Sequence, residues 1–265
     1  MLFLANLPMY DFHEVRPHTD ALWAAIADAL RKREIEAPDV LSRTGDHTAL
    51  WSNENLLFSQ TCGYPFVSQL RGAVTLVGTP DYGVIPDKPG WYNSVIVCRK
   101  NDPRTHLSDF AGARWSYNET GSQSGCRALM YAVLQEVGEG RHFGSCHVSG
   151  SHISSARAVS DDTADIAALD HVTWLFMKRY DYPGVDKLRV LTQTPPTPGL
   201  PYIAAKACDG SIVADAFCEA LENLPSETLN PLFLKGFWPS KVEDYDLIAE
   251  RAAQSAGVFS AHFPE

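Results

Sequence analysis

No apolar run in the sequence approaches the roughly 18 residues that a membrane-spanning helix needs. Positive charge is also short: 22 Lys and Arg face 32 Asp and Glu, for a net charge of −10. A non-specific nucleic-acid binder needs a basic surface, so that class is excluded. A small anionic ligand is not, because one cleft can oppose the sign of the whole surface. Charged residues make up only 20% of the 265 positions and hydrophobic ones 45%. That balance argues against disorder and for a sizeable core, in one large domain or two small ones. The six cysteines (62, 98, 126, 146, 208 and 218) form no C-x-x-C pair and no zinc spacing. They read as buried free thiols, and neither metal nor cofactor is expected. Residues 1–8 lack the basic start and the long apolar stretch of a secretion signal, and read as a first buried strand instead.

Catalytic signatures are missing as well. The sequence has no G-x-S-x-G elbow, no H-E-x-x-H, no Walker A motif and no G-x-G-x-x-G after a strand. Binding is favoured over chemistry, and no catalytic residue is nominated. Internal repeats and low-complexity tracts are also absent.

What is present is a rhythm of short apolar runs and helical periodicity. Strand-like segments fall at 2–6, 56–58, 74–77, 94–97, 114–117, 146–148, 166–169 and 188–191, with amphipathic helices between most of them. This predicts an α/β fold with mostly parallel strands. Two stretches break the rhythm. Residues 81–91 carry Pro86, Pro89 and Gly90, and residues 192–201 read TQTPPTPGLP, which no helix or central strand tolerates. After the second break one further strand is expected, at 202–205, followed by helices around 213–224 and 245–256. The predicted organisation is a discontinuous lobe of residues 1–91 and 198–265, a second lobe of residues 92–197, and a ligand cleft between them.

In open sheets, ligands are met beyond the carboxyl ends of strands, so the residues following each strand are the candidates. They are Tyr10, then Gln60, Thr61 and Tyr64, then Ser122, Gln123 and Ser124, then His152, and finally Asp170. The segment Gly121-Ser122-Gln123-Ser124-Gly125 opens a helix. Unpaired N–H groups and two hydroxyls there make an anion cradle that needs no lysine. A plain N-cap would use the same residues, and Asp170 could likewise cap the helix that follows it. Tyr10 and Tyr64 stand beside Pro8 and Pro65 in expected loops, where aromatic side chains would wall a cleft.

Taken together, QTCGYP at 60–65, NETGSQSG at 118–125, Gly150-Ser151-His152 and ALDHVTW at 168–174 resemble the phosphate/phosphonate-type substrate-binding proteins of ABC transporters. The likeness runs in order across roughly residues 1–225. It implies a type II periplasmic-binding-protein fold, with two lobes, two crossovers and hinge closure over a small anionic ligand. It also implies a permease as partner, a monomer as the working form and a periplasmic location. By the same resemblance Ser122, Ser124 and Gln123 hold the anion, His152 and Tyr92 line the cleft, and Asp170 meets a ligand amino group. Gln123 stands where a hydroxyl residue is usual. A cytosolic enzyme on the same fold, of the menaquinone- or thiamine-precursor type, and a ligand-sensing domain are the alternatives; a start at Met1 would make the chain cytoplasmic.

Overall fold

A computed structural model of the chain describes residues 3–264. Its strands in chain order are β1 (Leu4–Asn6), β2 (Leu56–Gln60), β3 (Val74–Asp81), β4 (Trp91–Tyr92), β5 (Ser94–Arg99) and β6 (Arg114–Tyr117). They continue with β7 (Ser145–Val148), β8 (Ile166–Asp170), β9 (Leu188–Gln193), β10 (Thr197–Pro198), β11 (Tyr202–Ala205) and β12 (Gly236–Trp238). The α-helices are α1 (Arg16–Arg31), α2 (His47–Trp51), α3 (Gly63–Pro65), α4 (Ala128–Glu136) and α5 (His152–Ser160). They are followed by α6 (His171–Arg179), α7 (Gly210–Asn223), α8 (Ser226–Leu229), α9 (Asp246–Gln254) and α10 (Ala256–His262). Leu2, the expected first strand residue, lies outside the described residues.

The chain divides into two compact units. One comprises residues 1–91 and 198–246, the other residues 92–197 and 247–265. The first contains a five-stranded sheet ordered β1-β2-β11-β3-β12. Its core forms where Phe58 of β2 stacks on Trp23 of α1, with ring centroids 6.1 Å apart, and meets Tyr202 of β11 at 4.6 Å. Phe217 of α7 closes the cluster 4.9 Å from Tyr202. The second unit contains the sheet β7-β6-β8-β5-β9. Alternation along β5 sends Ile96 and Cys98 into one core with Trp115, Phe110 and Phe143. Val95 and Val97 enter the opposite core with Leu169, Val159 and Met177. A short third ladder pairs β4 with β10.

Three expectations need correction. First, the pairing is mixed rather than mostly parallel. β1 and β2 pair parallel, as β6 does with β7 and with β8, but β11 runs antiparallel to β2 and β3, and β5 to β8 and β9. The reversal has a simple cause. β5 and β11 each follow a crossover and enter their sheets at the carboxyl ends of the parallel strands: Ser94 opposes Asp170, and Tyr202 opposes Gln60. Second, β12 is an additional strand of three residues, paired antiparallel with β3; a Gly-Phe-Trp edge is too short to show a period. Third, residues 247–265 belong with the second unit, not the first. Phe263 packs 5.8 Å from Trp115, and His262 accepts the backbone N–H groups of His142 and Phe143 at 3.1 and 3.0 Å.

Candidate functional site

In the second unit, three neighbouring parallel strands (β7, β6 and β8) deliver their carboxyl ends to the starts of helical segments. After β6 the chain turns through Ser122 into a π-helical stretch, Gln123–Arg127, before α4 begins. The Ser122 hydroxyl accepts the Gly125 N–H at 3.0 Å, and the Arg127 N–H reaches the Ser122 carbonyl at 3.0 Å. The wide turn matters because π-bulges loosen the N–H ladder and gather at functional sites. Ser122, Gln123 and Ser124 are all buried. Ser122 does cap the helix, yet its own hydroxyl proton remains available, because in the cap the oxygen acts only as acceptor.

Ser124 is brought to His152. Its Oγ lies 3.0 Å from the imidazole Nε2, across 28 residues of chain. Ser151 positions the histidine by capping α5, its hydroxyl accepting the Ser154 N–H at 3.1 Å. Burial pushes the His152 imidazole down to about 4, with the Ala168 backbone acting in the opposite direction. His152 is therefore neutral at physiological pH.

Gly125 is required at this point. A Cβ there would overlap the Asn118 Oδ1 and come within 3.1 Å of the His152 Cε1. Asn118, which follows β6, thus stands against both motifs. Its Oδ1 is buried without a hydrogen-bond partner. Ser94 links the end of β8 to the turn after β6: its hydroxyl donates to the Ser124 carbonyl at 2.9 Å, and in the sheet Ser94 pairs with Asp170. Asp170, only 2% exposed, caps α6 by accepting the Thr173 N–H at 2.8 Å. Tyr92 is buried in β4, in the same unit. The structure thus gathers Ser122, Ser124 and His152 with Asp170 one strand away. Sequence reading missed Ser94 and Asn118. The Asn at 118 opens the recognised NETGSQSG segment and could have been read as part of it; nothing marks Ser94.

The first unit supplies a second group. Gln60 ends β2, and its Nε2 donates to the Leu200 carbonyl at 3.1 Å and to the Tyr82 hydroxyl at 3.4 Å. Tyr10 meets Tyr82 edge-on, with centroids 5.1 Å apart. Thr61 is buried, and its N–H donates to the Pro201 carbonyl at 3.1 Å. Tyr64 is half-buried and lies in α3, not in a loop as expected. Tyr82 is the missed member; it stands in the Pro/Gly-rich break, which composition shows only as a loop.

Among the described residues no group of three or more His, Cys, Asp and Glu side chains is placed to hold a metal ion, and no helix is long and apolar enough to cross a membrane. All six cysteines are free thiols, with Cys62, Cys98 and Cys126 buried.

Comparison with known proteins follows the same line. The family described as "ABC transporter, phosphonate, periplasmic substrate-binding protein" matches residues 15–245. Among solved structures, PhnD1 from Prochlorococcus marinus in complex with methylphosphonate is similar at 16% identity and a TM-score of 0.73, over 96% of this chain and 98% of that one. XAC2383 from Xanthomonas citri, bound to chloride ion, gives 16% and 0.72, over 97% and 98%. The periplasmic aliphatic sulphonate binding protein SsuA from Escherichia coli gives 14% and 0.62, over 99% and 92%. Comparison with curated protein sequences gives no match. At these identities the structural likeness shows the fold, that of the type II periplasmic binding proteins.

Proposed function

We propose that this chain, which belongs to the family of periplasmic substrate-binding proteins of phosphonate ABC transporters, captures a small phosphonate- or phosphate-like anion at Ser122, Ser124 and His152 for a permease partner. The observation that carries the reading is the Ser124–His152 pair, 3.0 Å apart at the mouth of a helix that opens with a capped π-turn. Anion capture needs donors, and this corner is rich in them. In the tautomer with its proton on Nε2, His152 donates to Ser124 and so directs the Ser124 hydroxyl proton to the ligand. The Ser122 hydroxyl and the backbone N–H groups of the π-turn add to it. No lysine or arginine is needed, so the ligand's charge is balanced by dipoles and can be released again.

The same geometry argues for binding rather than catalysis. A serine beside a histidine has the outline of a nucleophile and its base. A base pushed down to about 4 abstracts a proton poorly at neutral pH. Asp170, the carboxylate that could orient the ring, instead caps α6 through the Thr173 N–H.

We read Tyr10, Gln60, Thr61 and Tyr64 as the first unit's contribution, and Gln123, Tyr92 and Asp170 as further contacts from the second. Any population shift on binding is set by the ligand's differential affinity for the conformations the chain can adopt. Asp170 supplies an acceptor for an ammonium or hydroxyl on the ligand. Isothermal titration with methylphosphonate, 2-aminoethylphosphonate, inorganic phosphate and methanesulfonate tests the reading. At least one phosphorus oxyanion is expected to bind and to raise the unfolding temperature, since saturation at a hundred times Kd adds about 2.7 kcal/mol. Silence toward all four would refute it.

A further inference from the structure

Asn6 ends β1 with a carboxamide that is 2% exposed and finds no hydrogen-bond partner at Nδ2 or at Oδ1. Buried polar side chains are normally satisfied, and an amide with neither atom paired weakens the fold that contains it. An apolar residue of the same branching, leucine for example, would carry no such cost. The position of the anomaly is informative. Asn6 sits at the carboxyl end of its strand, in parallel register with Ser59 of β2. The next residue of β2 is Gln60, and Tyr10 follows four residues after Asn6. Gln60 differs from Asn6 in being satisfied, by the Leu200 carbonyl and the Tyr82 hydroxyl. One buried amide of this strand-end group is thus tied into the fold and the other is not. The carboxyl ends of strands are where ligands of such sheets are met.

We infer that Asn6 is a ligand-contacting residue of the first unit, and that its carboxamide selects a ligand presenting a hydrogen-bond donor beside an acceptor. The inference rests on the binding-protein reading above. The Nδ2 protons suit an anionic oxygen, but Oδ1 can only accept. A fully ionised oxyanion would leave Oδ1 unmatched and turn two negative oxygens toward each other. A monoprotonated phosphonate, or a phosphonate carrying an amino or hydroxyl substituent, satisfies both atoms. A sulfonate, which holds no proton at neutral pH, satisfies one.

The test compares Asn6→Leu with the unaltered protein in two measurements. The first is the urea midpoint without ligand. The second is titration with methylphosphonate, 2-aminoethylphosphonate and methanesulfonate. The variant is expected to unfold at an equal or higher urea concentration, because the unmatched amide is gone. It should bind the better phosphonate about tenfold or more weakly, and its preference for phosphonate over methanesulfonate should shrink. Loss confined to 2-aminoethylphosphonate would place the donor on the substituent, and loss of both phosphonates would place it on the phosphorus oxygen. A lower urea midpoint with unchanged affinities would overturn the inference, since the carboxamide would then serve the fold. If leucine cannot be accommodated, Asn6→Ala, which introduces no clash, carries the same affinity readout, and unchanged phosphonate binding by it overturns the inference. Failure of the unaltered protein to bind any of the three anions would instead count against the binding-protein reading. The urea midpoint of Asn6→Leu would still report whether the amide is kept at a cost to folding, and midpoints below that of the unaltered protein for both Asn6→Leu and the smaller Asn6→Val would overturn the inference.

Discussion

Replacing both cradle serines, Ser122→Ala with Ser124→Ala, separates the anion-binding role of this turn from its structural one. Each hydroxyl is buried, and each is expected to donate one hydrogen bond to an ionised ligand oxygen. Bonds to charged groups contribute about 1.5–3 kcal/mol each. The pair should therefore be worth about 3–6 kcal/mol, or two to four powers of ten in Kd at roughly 1.4 kcal/mol per decade. The structural cost is smaller and can be assigned bond by bond. Ser122 loses the cap on the Gly125 N–H, worth about 1 kcal/mol. Ser124 loses its contact with His152, worth about 0.5–1.5 kcal/mol. Calorimetric titration with methylphosphonate, beside urea unfolding of the ligand-free variants, gives both numbers from the same preparations. The single variants divide by bond: Ser122→Ala loses stability through the cap, and Ser124→Ala frees His152 as well as removing a donor. If the double variant binds within threefold of the unaltered protein, the turn is only a capped helix start and the anion site lies elsewhere.

Gly125→Ala should weaken anion binding at least tenfold with a stability loss of about 1–3 kcal/mol, because the new Cβ overlaps Asn118 and crowds His152; equal affinity by titration would show that the turn adjusts freely. Stability should also fall with acidification. His152 and His262 are both held below the ordinary imidazole value by burial, so their contribution is complete above about pH 6.5 and is lost as pH drops toward their folded values, about 4 for His152. The slope reaches at most ~1.4 kcal/mol per pH unit for each histidine. Urea midpoints that stay flat from pH 7 to 5 would contradict this. Arg251→Met should leave the Pro195 and Pro196 carbonyls without their Nη1 donor, at present 3.0 and 2.8 Å away. Faster amide exchange across residues 192–201 is expected, and unchanged protection there would refute the clamp.

Much of this molecule is legible in its sequence, and the parts that are not share a cause. Strands such as 94–97 and 166–169 announce themselves because they are buried on both faces and, Ser94 aside, apolar. The two Pro/Gly-rich breaks are legible because proline removes a donor and fixes φ whatever surrounds it. The hydroxyl-rich turn at 121–125 is legible because capping chemistry is local. Strand direction is not local. Nothing within Ser94–Arg99 says that it will enter its sheet against its neighbours; that follows from the crossover before it. The same limit hides Ser94 itself, a single serine in an apolar run, which matters only because antiparallel register sets it opposite Asp170 and within 2.9 Å of the Ser124 carbonyl.

The C-terminal helices carry that argument one step further. Their apolar face is evident from periodicity, but periodicity cannot say whose core the face will fill. Only the partners decide: Val258 joins the core of Trp115, Phe143 and Leu129, and His262, buried and neutral, accepts two backbone N–H groups that would otherwise be orphaned. Arg251 then ties α9 to the second Pro/Gly break through two carbonyls, in a segment whose prolines donate nothing themselves. The chain therefore passes between its units a third time, within a helix rather than a loop, at residues 246 and 247. A helical passage bends less readily than an extended one, because bending it breaks its i→i−4 ladder.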